Sequence, residues 1–185
     1  MTRNMLALLE ELSPLPSGFS AAAYLGHPDA RVRWQAVKVQ VKLPDERDEA
    51  LAVGLQDHDP RTLRLALGLA VALQSCPDSA VPVLAERATD RALPPDVRTL
   101  AVRALGHARA RAALEALLRL ASAGRTLFGR EKLPPKSPEL LAALAGLASG
   151  WPQDPRARAV LRRAAESGDP DIVAAADAGG REGGL

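Results

Sequence analysis

Along this chain, apolar and polar positions recur at helical spacing, with one stretch that reads two ways. In residues 33–46, RWQAVKVQVKLPDE, Val37, Val39, Val41 and Leu43 alternate with Lys38, Gln40 and Lys42, which is the period-2 pattern of a half-buried strand. Starting one residue earlier, Val32, Ala36, Val39 and Leu43 fall at i, i+4, i+7 and i+11 and form a single helix face. Val37 and Val41 only widen that face, and the surrounding Ala, Leu and Arg favour helix. Helix is therefore predicted across the stretch.

The same pattern repeats. Units open at HPDARVRWQAV (His27), HDPRTLRLAL (His58), LPPDVRTLAVRAL (with Val97-Arg98), SPELLAALAGL (Leu140) and GDPDIVAAA (Ile172). Val32 to Leu63 is 31 residues, Leu63 to Val97 is 34 and Leu140 to Ile172 is 32, whereas Val97 to Leu140 is 43 and holds an insertion. Each unit begins with an Asp, Pro or Ser turn that supplies an N-cap and a first-turn proline. Between units lie further helical segments, ERDEALAVGLQD, DSAVPVLAERATD, ARARAALEALLRLAS and DPRARAVLRRAAESG. The prediction is an all-α chain of nine or ten helices with no hairpin signal. Residues 1–26 are expected to form N-terminal capping helices, 27–178 the repeat array with an inserted basic loop at 122–139, and 179–185 a flexible Gly-rich tail.

A helix ending in Leu-x-Asp, an Asp-Pro turn and V-R-x-x-A opening the next helix, as in DARVRWQAV, LQDHDPRTLRLAL, PDVRTLAVRAL and GDPDIVAAA, resembles HEAT repeats, particularly the short bacterial type found in phycobilin lyase subunits. The resemblance covers residues 25 to 178. It implies an α-α superhelix of about four to five helical hairpins, and a role as a binding scaffold, since such arrays present surfaces far more often than they catalyse. Two departures stand out: the fourth unit has Leu140-Leu141 and the fifth Ile172-Val173 where Val-Arg is expected. By the same resemblance, Arg33, Arg64 and Arg98 pair with turn aspartates such as Asp29, Asp59 and Asp96 in their own or adjacent repeats, and the second helix of each hairpin lines a concave surface.

Composition narrows the function. Apolar residues make up 47% of the 185-residue chain but aromatics only 3%, so the core must be aliphatic. Basic and acidic residues nearly balance at 24 and 22, so no bulk field drives the chain onto nucleic acid or membrane. Cys76 stands alone, which excludes an intrachain disulfide and fits a cytoplasmic protein. MLALLEEL near the N-terminus is too short to span a bilayer.

Two candidate binding regions emerge. Arg31, Trp34, Gln35, Lys38 and Lys42 fall on one helix face and place a cationic stripe beside an indole, suited to an acidic peptide or a nucleic-acid backbone. The insertion SAGRTLFGREKLPPKSPE carries Arg125, Leu127, Phe128 and Arg130, an apolar pair set among cations. The expected role is a protein-interaction scaffold for a protein or peptide partner. Nucleic-acid binding through the same stripe and loop is the alternative. A HEAT-like enzyme or enzyme subunit, of the DNA glycosylase or chromophore-lyase type, is the third reading. No catalytic residue, cofactor, metal or small-molecule substrate is assigned: the histidines His27, His58 and His107 form no His-Glu-x-x-His, and neither paired cysteines nor a phosphate loop appear. His27 and His58 are aligned one repeat apart, too far for one ion to bridge unaided.

Overall fold

A computed structural model describes residues 2–12, 15–16, 18–123 and 132–178. Among them are ten α-helices, three single 3-10 turns and no strand. They form two compact units, Met1–Val83 and Leu84–Leu185. No helix is long and apolar enough to cross a membrane among the described residues. The tail expected at 179–185 lies outside them.

In the first unit α1 (Thr2–Glu10) is followed by a 3-10 turn at Ala22–Tyr24, then α2 (Ala30–Gln40), a 3-10 turn at Pro44–Glu46, α3 (Arg47–Leu55) and α4 (Pro60–Ala72). Of the two capping helices expected before residue 27, the first is an α-helix and the second a single tight turn. The ambiguous stretch is helix to Gln40. It looks like a strand because α2 packs against α1, α3 and α4 together, so Val32, Ala36, Val37, Val39 and Val41 are all buried and the apolar stripe wraps most of the helix. α5 (Val81–Thr89) spans the sequence boundary between units.

The second unit holds α6 (Pro95–His107), α7 (Arg111–Leu120), α8 (Pro138–Gly150), α9 (Pro155–Ala165) and α10 (Pro170–Ala176). The repeat turns start these helices as their chemistry dictates. Asp59, Asp154 and Asp169 each accept two backbone N–H groups of the first turn, and Ser137 accepts the Leu140 N–H at 3.1 Å. Proline occupies the opening position of α4, α6, α8, α9 and α10, where its missing N–H is no loss. Small residues bring helices close: at the α6–α8 contact, a Cβ added at Gly146 would lie 3.0 Å from the Gly106 Cα.

Leucine and alanine make up most of the buried core in both units, and among the described residues no aromatic side chain is buried. The polar exceptions sit in the first unit. Gln40 accepts the Ala21 N–H and donates to Ser20 Oγ and Glu46, satisfying both ends of its amide. Gln35 donates to the Leu6 carbonyl and to Glu10.

Candidate protein-binding groove

The first turns of α2 and α4 lie side by side in the first unit. Asp29 caps α2 by accepting the Arg31 N–H at 2.8 Å, and Asp59 caps α4 by accepting the Arg61 and Thr62 N–H groups at 3.1 and 3.0 Å. Arg31 and Arg61, the second residues of these helices, are both exposed and border the same groove. Beside them α1 contributes Arg3 and Ala7. Together with Trp34, Gln35, Arg64 and Leu65 these residues line a groove of about 1090 Å³. Its charge is lopsided: four arginines face the two capping aspartates, and those carboxylates already accept amide hydrogens at helix N-termini, where the macrodipole offsets them. The guanidinium groups of Arg3, Arg31 and Arg61 have no acid partner among the described residues.

Trp34 forms the apolar part of the groove. The Lys38 ammonium sits 4.3 Å from the centroid of its ring, a cation–π contact, and is itself paired with Glu10 at the end of α1. Lys42 donates to the Glu10 and Leu12 carbonyls, the unsatisfied acceptors at the C-terminus of α1. Burial works to raise the Glu10 pKa, but the hydrogen bonds and charges of Lys38, Gln35 and Lys42 outweigh it and hold the carboxyl below its ordinary value. The cationic stripe read from the sequence is thus divided by function. Arg31, Trp34 and the largely buried Gln35 line the groove, whereas Lys38 and Lys42 latch α1 onto α2.

Of the repeat arginines, Arg33 meets a turn aspartate of the adjacent repeat, as the repeat pattern implies, whereas Arg98 meets a glutamate. Arg33 forms a two-point pair with Asp57, Nε to Oδ2 at 2.7 Å and Nη2 to Oδ1 at 2.9 Å, and its remaining nitrogen donates to the His27 and Pro28 carbonyls. Arg98 repeats the arrangement with Glu139 at 3.0 Å and the Leu93 carbonyl at 2.7 Å. Both residues staple their own turn to an acid of a neighbouring helix end. The acids are Asp57, in the turn after α3, and Glu139, in the first turn of α8, while Asp29 accepts the Arg31 N–H of its own helix. Arg64, at the equivalent position, is exposed and lines the groove.

His27 and His58 border a separate shallow recess of about 520 Å³ in the same unit. There the Asp57 carboxylate is taken up by Arg33 and the Asp59 N–H, and His27 Nδ1 accepts the Asp29 N–H. Among the described residues no group of three or more His, Cys, Asp or Glu is placed to hold a metal.

Arg125, Leu127, Phe128 and Arg130 lie outside the described residues. The ends of their loop are joined, the Ala123 N–H donating to the Lys132 carbonyl at 2.8 Å. Lys136, a cation of the same insertion, bridges Asp169 and Asp171 at the start of α10.

No protein-family profile and no curated protein sequence matches this chain. Among solved structures, a designed armadillo repeat protein resembles it with a TM-score of 0.57 and 16% identity, over 96% of this chain and 91% of that one. At that identity the likeness speaks to the fold alone, and it places the chain among helical-repeat solenoids.

Proposed function

We propose that the protein is a protein-interaction module whose N-terminal unit receives a segment of a partner protein in the groove between α1, α2 and α4. One observation carries the reading: a tryptophan set beside Arg3, Arg31 and Arg61, which lack acid partners among the described residues, on helices whose caps and buried stripes fix their position. Tryptophan and arginine are the residue types that dominate binding energy at interfaces, and a preformed groove spares the ordering cost of assembling one. The charge of the groove calls for an acidic complement. In this reading Arg31 and Trp34 contact the partner, while Lys38 and Lys42 position the tryptophan and the α1 wall. Arg125, Leu127, Phe128 and Arg130 form a second contact region on the inserted loop. The HEAT-like repeat pattern supports a scaffold over an enzyme, and both carboxylates in the groove lining serve as helix caps.

The same arginines favour nucleic acid as a second reading, since guanidinium groups neutralise phosphates and indoles stack on bases. Fluorescence anisotropy with acidic peptides, duplex DNA and single-stranded DNA at low and physiological salt separates the two. The expected result is peptide binding that survives physiological salt, with weak nucleic-acid binding at both. Tight DNA binding that collapses as salt rises would replace this reading with the other.

A further inference from the structure

Arg31 and Arg61 hold the same position relative to the start of their helices, each the second residue of a helix whose N-cap aspartate lines the same groove. Because α2 and α4 pack directly and start at the same edge, the two positions are separated by about one helix–helix spacing, roughly 8–10 Å. Trp34, one turn along α2 from Arg31, lies beside that pair. Lys38 covers part of one indole face, which leaves the groove side for an apolar group of the ligand.

From this spacing we infer that the ligand is an extended acidic segment in polyproline II conformation, with carboxylates at positions i and i+3 on Arg31 and Arg61 and a proline or aliphatic residue on Trp34. In that conformation side chains three residues apart return to the same face after about 9.3 Å, which matches the repeat spacing. A β-strand presents the same face only every second residue, at about 6.7 or 13 Å, so its steps straddle the interval. An α-helix could match it with acids at i and i+7, about 10.5 Å apart, but a short acidic peptide must meet the cost of helix nucleation, whereas polyproline II is already populated in unfolded chains and is favoured by like-charge repulsion. Arg3 on the α1 wall and Arg64 on α4 line the path to either side.

The inference rests on the groove being the docking site, and the test distinguishes the two. Three labelled dodecapeptides of equal net charge are titrated into the full chain by anisotropy: one with glutamates at i and i+3 flanking a proline, one with glutamates at i and i+7 in an alanine-rich helical background, and one with the same residues as the first but adjacent glutamates. The first is expected to bind at least about tenfold more tightly than the others, a ratio that corresponds to about 1.4 kcal/mol. Arg31→Glu and Arg61→Glu should each weaken it about tenfold or more, with circular dichroism unchanged, and Arg111→Glu in the second unit should leave it unaltered. Equal affinity for all three peptides, or preference for the helical one, overturns the spacing inference while leaving the docking site standing. Failure of every acidic peptide to bind, or binding indifferent to Arg31 and Arg61, removes both.

Discussion

Arg33 does two jobs with one guanidinium group. It donates to carbonyls of the turn that precedes its own helix and forms a two-point pair with Asp57, whose side chain is only 5% exposed. Burial of Asp57 works to raise its pKa, yet the hydrogen bonds from Arg33 and the Asp59 N–H, together with the Arg33 charge, lower it below the ordinary carboxylate value. A carboxylate whose folded pKa is depressed contributes stability that is complete above its unfolded pKa of about 4 and is lost as pH falls through the folded value. Asp57→Asn should therefore destabilise the protein by about 2–3 kcal/mol near neutral pH, a little under the range for fully buried pairs because Arg33 keeps some exposure. Urea unfolding at pH 7 and at pH 3 checks this: the gap between wild type and variant should narrow at the lower pH. That Arg33 and Arg98 would pair was legible in the repeat; their partners were not. Which acid lies opposite depends on how a helix end 24 or 41 residues away is stacked, and Asp29, nearer to Arg33 in sequence, is occupied in the first turn of α2. In the same way, sequence puts Arg31, Trp34, Lys38 and Lys42 on one face but cannot show α1 lying across part of it.

Among the helices, the stretch from Val37 to Leu43 shows why alternation alone does not define a strand. A helix enclosed by three others needs apolar residues on most of its circumference, and period-2 alternation then appears as a by-product of a wide helical stripe. Its alternating polar residue Gln40 is buried and fully hydrogen-bonded, a role that only the fold reveals, since its partners come from Ala21, Ser20 and Glu46. Helix packing also decides the sign of glycine substitutions. A methyl group added at Gly68 in α4 would have nothing within 4 Å, whereas one at Gly146 in α8 would meet the Gly106 backbone at 3.0 Å and Leu117 at 3.3 Å. Gly68→Ala should stabilise the chain by up to about 1 kcal/mol through helix propensity. Gly146→Ala should instead destabilise it by about 1–3 kcal/mol, because a helix must shift to admit the methyl group. Thermal unfolding of the two variants should move in opposite directions.

At the level of the whole molecule, an Ala- and Leu-rich repeat was readable from turn chemistry and a spacing of 31 to 34 residues, and the helical array follows from it because no single amphipathic hairpin can bury its own apolar face. The groove was half readable. Its Arg31 and Trp34 came from helical spacing, but Arg3, Ala7 and Arg61 belong to other helices, and sequence periodicity carries no information on which helices adjoin. Cys76 offers a global probe of the folded state. Burial, with smaller contributions from Asp78 and Asp48, pushes its thiol pKa up to about 12, so almost no thiolate exists at about pH 8. A thiol-specific disulfide reagent should react negligibly with the native protein and rapidly in denaturant, and fast reaction under native conditions would show that the surroundings of Cys76 are looser than described.

Docking of an acidic partner segment in the first unit is most directly tested by nitrogen–proton correlation spectroscopy of the full chain during titration with the i, i+3 glutamate peptide. Shifts should concentrate at residues 29–35 and 59–65 and at the Trp34 indole N–H, with Trp151 and the helices of the second unit silent. Shifts confined to the second unit, or no shifts at saturating peptide, would contradict the account.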